Sequence, residues 1–199
     1  MSDLIFYTNP QSRGAIVHWM LEELGEDYDM RVIEYGEQMK GPEYLAVNPM
    51  GKVPAIQHKG AVVTEVAAIC TYLAAAFPEK ELIPAAGDPA LADFYRWMFF
   101  AAGPVEQAVS VKSMGWEVTQ EQSRTLGFGN FDDVYKALEL ALAGGPWVCG
   151  EQFTAADVYL GSQIFWGVQF NMLDKREAFT AYIERISARP AARKVMSLA

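Results

Sequence analysis

The chain has 199 residues, which is enough for one large domain or two small domains with separate cores. Its net charge of −9 is spread along the sequence without a basic stripe, so we expect no nucleic-acid partner. The N-terminal residues lack the pattern of a signal peptide, and the most apolar segment, residues 66–77, is too short to cross a membrane. These features favour a soluble globular protein with no membrane partner.

The two cysteines, Cys70 and Cys149, lie far apart and form no CxxC pattern. A disulfide framework and a zinc site are therefore not indicated. We expect two buried free thiols, no bound metal, and a location in the reducing cytoplasm.

The first 76 residues alternate between strand and helix patterns. Ile16, Met20 and Leu24 fall on one helix face, and Gly25 follows them where a helix-ending glycine is expected. Two apolar runs around Lys59-Gly60 are close enough for a hairpin, so the predicted sheet is mixed. The sequence predicts a four-stranded α/β domain over residues 1–76, in the order strand 4–7, helix 13–24, strand 28–35, a short helix after Pro42, two strands within 54–63, and a helix over 65–76.

Residues 77–87 lose this pattern and contain two prolines and a glycine, which indicates a linker. Asp88-Pro89 then has the form of a helix start, and the pattern beyond it is helical. Within FTAADV at 153–158, Thr154 and Asp157 fit a capping box. We therefore predict an all-helical domain over residues 88–199.

The stretch 48–69, NPMGKVPAIQHKGAVVTEVAAI, places Pro54 at the start of a strand. Proline is tolerated there because its missing N–H is not needed, and a cis peptide bond is cheap only before proline. A cis Val53–Pro54 bond would turn the N–H and C=O of Val53 outward, where they can pair with an extended peptide-like ligand. Glu65 would stand beside that ligand, at the start of the next helix.

Four segments resemble the cytosolic glutathione transferases of the bacterial type, over essentially the full chain. They are SRGAIVHWMLEELG at 12–25, NPMGKVPAI at 48–56, the pair Thr64-Glu65 followed by VAAI, and FTAADV at 153–158. The resemblance implies a thioredoxin-like N-terminal domain, an all-α helical-bundle domain after it, a homodimer, and glutathione as co-substrate in the first domain. The helical domain would supply most of the pocket for a hydrophobic electrophile.

The resemblance also implies how glutathione is held. The backbone of Val53 pairs with the cysteinyl unit, and the Glu65 carboxylate suits the γ-glutamyl ammonium. Relatives commonly have serine at the position of Val66, and its hydroxyl holds the γ-glutamyl carboxylate. Valine keeps only the N–H, which predicts binding weaker by about 1.5–3 kcal/mol. The predicted glutathione-binding residues are Thr8, Arg13, Lys40, Lys52, Val53, Pro54, Glu65 and Val66.

A group that stabilises the thiolate is expected in residues 8–13, where the first strand ends and the first helix begins. Asn9 can donate an amide N–H to sulfur, and Ser12 can donate a hydroxyl. Ser12 is explained equally well as the N-cap of the helix. The loop contains no cysteine, which argues against a thiol-exchange reaction.

Apolar candidates for the electrophile pocket follow Asp88: Phe99, Phe100, Val105 and Trp116. Each of them is also explained as a core residue. The expected activity is conjugation of the glutathione thiolate to hydrophobic electrophiles, as in detoxification. A glutathione-dependent peroxidase, dehalogenase or isomerase on the same scaffold stays an alternative, as does a non-catalytic member that binds glutathione or another ligand.

Overall fold

The computed structural model describes residues 2–196, which divide into two compact units. Residues 2–80 and 187–196 form the first unit, and residues 81–186 form the second. No helix in the described part of the chain is long and apolar enough to cross a bilayer. In chain order the elements are β1 Leu4–Thr8, α1 Gly14–Leu24, β2 Asp29–Val32, α2 Pro42–Leu45, β3 Ala55–His58, β4 Ala61–Thr64, α3 Val66–Ala76, α4 Ala90–Phe100, α5 Glu106–Ser113, α6 Gln120–Ser123, α7 Phe131–Ala143, α8 Ala155–Gln169, α9 Glu177–Ser187 and α10 Pro190–Met196.

The sheet of the first unit has the strand order β2-β1-β3-β4. Strand β1 pairs with β2 in parallel and with β3 antiparallel, and β3 pairs antiparallel with β4. This confirms the predicted α/β fold with a mixed four-stranded sheet. Each predicted strand is present, although β2 is shorter than the predicted range 28–35.

In the first unit, helix α1 packs against both α3 and α10. Phe6 from β1 and Ile56 from β3 are fully buried, as are Val17 of α1 and Leu73 of α3. Helix α1 ends as predicted at Gly25, whose left-handed φ of 66° suits a residue without a Cβ atom.

The C-terminal helix differs from the predicted boundary, because α10 belongs with the first unit and not with the helical one. Arg189 donates two hydrogen bonds of 2.7 Å to the Glu23 carboxylate, and Lys194 pairs with Glu22, so α10 is attached to α1. The division at residue 80 falls inside the predicted linker. Helical periodicity shows that a segment forms a helix, but not which core its apolar face joins.

A π-helical turn at Ala101–Val105 connects α4 to α5 and contains Pro104. Proline cannot donate to the carbonyl four residues earlier, so a wider turn accommodates it where a regular helix would not. The predicted capping box of Thr154 with Asp157 is present in the second unit, and Thr119 with Gln122 forms another.

Asp157 is fully buried and does more than cap α8. Its carboxylate accepts hydrogen bonds from the N–H of Val148 at 2.9 Å, the N–H of Thr154 at 2.9 Å and the hydroxyl of Tyr182 at 2.7 Å. Burial raises the pKa of Asp157 to about 6, and these donors oppose that rise by stabilising the carboxylate. One side chain therefore joins the chain before α8, the start of α8, and α9.

We predict that Asp157→Ala lowers the free energy of unfolding by about 3–5 kcal/mol, because three buried donors lose their acceptor. Urea unfolding at neutral pH measures this change. Asp132→Ala is the matched control: Asp132 is exposed in the first turn of α7, so its loss costs less than about 1 kcal/mol. Equal effects of the two substitutions would contradict the assigned role of Asp157.

Candidate functional site

The register of the strands brings distant parts of the sequence to one edge of the sheet. Thr8 at the end of β1 pairs with Val32, and its neighbour Tyr7 pairs with Ala55 at the start of β3. Ala55 in turn pairs with Thr64 at the end of β4. The loop after β1, the Val53-Pro54 segment before β3 and the start of α3 after β4 therefore meet at the same edge.

Asn9 holds the loop after β1 in place. Its side-chain amide donates to the Ile33 carbonyl at 3.0 Å, and its side-chain oxygen accepts from the Gln11 N–H at 3.0 Å. The residue is only 5% exposed, so its amide is engaged inside the protein. These contacts give Asn9 a structural role, and they do not support the predicted donation from its side chain to a thiol.

Ser12 is the better placed of the two predicted thiol-activating residues. Its hydroxyl accepts from the Gly14 N–H at 3.0 Å and donates to the Asn9 carbonyl at 2.6 Å. The first contact resembles a helix cap, and the second uses the only hydroxyl hydrogen. Donation to a thiolate thus requires the O–H to turn away from the Asn9 carbonyl. The backbone N–H of Ser12 has no partner among residues 2–196, so it is a second donor, which the sequence did not reveal.

The other two predicted residues of this loop lie beside Ser12. Thr8 is 5% exposed, and its hydroxyl is 3.4 Å from the Asn9 carbonyl, a long contact for a hydroxyl donor. Arg13 is exposed and immediately precedes α1.

Three side chains hold the turn that leads into Val53. The Lys40 ammonium donates to the carbonyls of Met50 and Gly51, at 2.9 Å each. The next carbonyl, of Lys52, accepts from the Tyr44 hydroxyl at 2.6 Å and from the Asn48 side-chain amide at 2.8 Å.

The contacts of Lys40 in this turn differ from its predicted role, which was to bind a carboxylate of the ligand. Two of its three ammonium hydrogens bind the protein backbone, so Lys40 positions the turn instead of standing free for a ligand carboxylate. Lys52 has an exposed side chain and stays available for that role. The sequence predicted no role for Tyr44 or Asn48, because a residue pattern does not show which distant carbonyl a buried polar side chain contacts.

Val53 offers its backbone to a ligand. The Val53–Pro54 peptide bond is cis. Within residues 2–196, neither the N–H nor the C=O of Val53 has a hydrogen-bond partner. An extended peptide can therefore pair with Val53 in the way that an added strand pairs with the edge of a sheet.

Glu65 and Val66 form the start of α3. Glu65 is exposed, its carboxylate has no partner among the described residues, and its φ is +67°. A residue other than glycine costs about 1–3 kcal/mol in such a conformation, and such residues cluster at functional sites. Val66 follows as the first residue of an 11-residue helix, where N–H groups lack carbonyl partners and attract anions. The Val66 side chain is 9% exposed and packs inward.

The predicted residues of the electrophile pocket belong to the second unit. Val105 is fully buried, so it is a core residue and is not open to a ligand. Trp116 is 65% exposed and Phe99 is 70% exposed. Phe100 is partly exposed at the end of α4, with its ring 5.8 Å from that of Trp97.

Gly14 lets the loop after β1 approach α1. A Cβ atom at this position would lie 2.0 Å from the Thr8 hydroxyl oxygen and 2.9 Å from that of Ser12. We predict that Gly14→Ala destabilises the protein by about 1–3 kcal/mol, because it displaces both hydroxyls. Gly103→Ala is the control, since an added Cβ there meets nothing within 4 Å and the change stays within about 1 kcal/mol. Thermal unfolding compares the two, and a tolerated Gly14→Ala would show that the loop is not tightly packed.

Comparisons with known proteins agree with this geometry. The glutathione S-transferase N-terminal domain model matches residues 14–76, and the C-terminal domain model matches residues 121–185. The chain is 26% identical to glutathione S-transferase GstA of Escherichia coli O157:H7, over 97% of this chain and 96% of that protein.

Two solved structures are also similar to the chain. A glutathione transferase from Methylococcus capsulatus str. Bath has a TM-score of 0.80 and 30% identity, covering 98% of this chain and 97% of that one. A glutathione transferase homologue from Sulfitobacter, crystallised with bound glutathione, has a TM-score of 0.76 and 25% identity, covering 99% and 98%. Two matching domain models, together with agreement of sequence and fold over nearly the full length, show that this chain belongs to the glutathione S-transferase family.

Proposed function

We propose that the protein is a glutathione transferase that adds the thiolate of glutathione to small hydrophobic electrophiles. One observation carries the proposal. At a single edge of the sheet, the backbone of Val53, which has no partner within residues 2–196, lies with the carboxylate of Glu65 and the first N–H groups of α3. Glutathione is a peptide with an ammonium and two carboxylates, and these are the groups that such an edge binds. The Sulfitobacter homologue with bound glutathione supports the same assignment.

In the proposed complex, the cysteinyl unit of glutathione pairs with the N–H and C=O of Val53. The γ-glutamyl ammonium pairs with Glu65, and the γ-glutamyl carboxylate accepts from the N–H of Val66, where the positive end of the helix dipole adds attraction. The exposed ammonium of Lys52 serves the glycyl carboxylate. These contacts direct the thiol toward the loop after β1.

Activation of the thiol makes only a small direct contribution to the rate. A free thiol with a pKa near 8.5 is about 3% ionised at neutral pH. Lowering that pKa by about two units makes most of it thiolate, but the thiolate then becomes less nucleophilic, so the net gain is only a few-fold. Positioning the electrophile next to the thiolate therefore supplies most of the acceleration. In this site the thiolate would accept from the hydroxyl and the N–H of Ser12.

We predict that Ser12→Ala lowers kcat/KM for conjugation of 1-chloro-2,4-dinitrobenzene by about three-fold, because one of two donors to the thiolate is removed and ionisation of the thiol contributes only a few-fold to the rate. The thiol pKa of bound glutathione, measured by ultraviolet absorbance, should rise in the same variant. Ser113→Ala removes an exposed hydroxyl that only bonds the Ser110 carbonyl, and it should leave both quantities unchanged.

Full activity of Ser12→Ala would leave Ser12 with a capping role only. Wild-type protein that shows neither turnover nor a rise in Tm with glutathione would exclude the proposed enzyme. Binding of glutathione without conjugation would favour a peroxidase, dehalogenase, isomerase or non-catalytic member.

A second prediction concerns how the side chain at position 66 affects the affinity for glutathione. We expect Val66→Ser to tighten glutathione binding about ten-fold, because a hydroxyl joins the N–H on the γ-glutamyl carboxylate. Val66→Ala is the matched control, since it removes the same apolar atoms without adding a donor. Calorimetric titration of both variants separates the two effects, and equal affinities would mean that residue 66 does not reach the carboxylate.

We further propose that the protein acts in the cytoplasm as a homodimer, and that Phe100 and Trp116 contact the electrophile. Membership of the family supports both statements. Sedimentation equilibrium tests the dimer, and a monomer at micromolar concentration would overturn it.

A further inference from the structure

The face of the sheet opposite to α1 and α3 carries a cavity of about 600 Å³. Tyr7 and Tyr44 line it, with their ring centroids 5.9 Å apart, and they are 6% and 3% exposed. Ile33 and Val47 also line it. The cavity therefore has the size of a small-ligand site, and its wall mixes polar and apolar groups and is open to solvent on one side.

Two opposite charges lie on the wall of this cavity. The guanidinium of Arg31 lies 5.7 Å from the centre of the Tyr7 ring, and the carboxylate of Glu43 comes from α2. Both side chains are exposed, and within residues 2–196 neither is in an ion pair, with the other or with a third residue. The charges are thus available to a ligand that carries both signs.

The backbone of Val32 adds a donor and an acceptor. Strand β2 is at the edge of the sheet, and the Ile33 N–H points inward to the Thr8 carbonyl at 2.8 Å. Along a strand of a parallel pair, the N–H and C=O groups of successive residues point alternately toward and away from the neighbouring strand. Those of Val32 therefore point away from β1. They have no partner in the described part of the chain, and Val32 also lines the cavity.

From these contacts we propose that the cavity binds a free α-amino acid with an apolar or aromatic side chain. The carboxylate of the ligand pairs with Arg31 and the N–H of Val32. Its ammonium pairs with Glu43 and the C=O of Val32, and its side chain packs on Pro42 and Val47, which are more exposed than the two tyrosines of the wall. A simple anion would meet the repulsion of Glu43, and a simple cation would meet that of Arg31, so a ligand with both charges is selected.

This site is separate from the proposed glutathione site. None of the residues predicted to bind glutathione or activate its thiol lines the cavity. Tyr7 and Arg31 are paired in register across the sheet, which places them on the face opposite to Phe6, whose ring lies 6.1 Å from that of His18 in α1. The proposal therefore does not depend on glutathione chemistry.

Calorimetric titration of the full-length protein tests the proposal with three ligands of the same shape. L-Phenylalanine carries both charges, 3-phenylpropanoate lacks the ammonium, and 2-phenylethylamine lacks the carboxylate. We expect phenylalanine to bind about five-fold or more tightly than either of the others, because each loses one charge pair. Saturating glutathione should leave the phenylalanine affinity unchanged.

Two variants test which charged group of the ligand pairs with Arg31 and which pairs with Glu43. Arg31→Gln should abolish the preference for phenylalanine over 2-phenylethylamine, and Glu43→Gln should abolish the preference over 3-phenylpropanoate. Arg124→Gln and Glu117→Gln are matched controls at exposed positions of the second unit and should change neither preference. The proposal is overturned if phenylalanine does not bind at up to about 10 mM, well into the weak range of ligand affinities. It is equally overturned if the three ligands bind alike, if the two variants keep the wild-type preferences, or if glutathione displaces phenylalanine.

Discussion

At the edge where β1, β3 and β4 meet, the ladders stop, and each backbone group that they no longer satisfy must find another partner. The carbonyls of residues 50–52 obtain theirs from Lys40, Tyr44 and Asn48, and the carbonyl of Ile33 obtains its partner from Asn9. Among the described residues, the N–H and C=O of Val53 find no such partner. Its N–H and C=O stand unpaired in a segment that is otherwise tightly bonded, and this combination makes the edge able to bind a peptide.

The fold itself orders the groups at this edge. Glu65 keeps a left-handed backbone conformation that costs about 1–3 kcal/mol, and the buried face of α3, with Ile69 and Leu73 fully enclosed, offsets that cost. A ligand therefore does not have to order these groups on binding, which removes one of the larger costs of association. The cost of the Glu65 conformation instead lowers the free energy of unfolding.

Tyr44 connects the cavity to the turn that precedes Val53. Its ring lines the cavity on one face of the sheet, and its hydroxyl donates to the Lys52 carbonyl in the turn before Val53. Burial raises the pKa of Tyr44 to about 12, so the hydroxyl keeps its hydrogen at neutral pH.

The sequence by itself determined which segments form helices and strands, and where several of them begin and end. Gly25 after α1, the capping box of Thr154 and Asp157, and the hairpin at Lys59-Gly60 act over a few residues, so a local pattern contains all that decides them. The combination of these patterns was also enough to indicate the family. Only the tertiary structure decided which side chain meets which distant backbone group. Lys40 binds the turn at Met50, Asn9 binds Ile33, Val105 enters the core and α10 joins α1 because strand register and helix packing bring them there. Contacts across ten or more residues depend on the path of the whole chain, and no short pattern specifies that path.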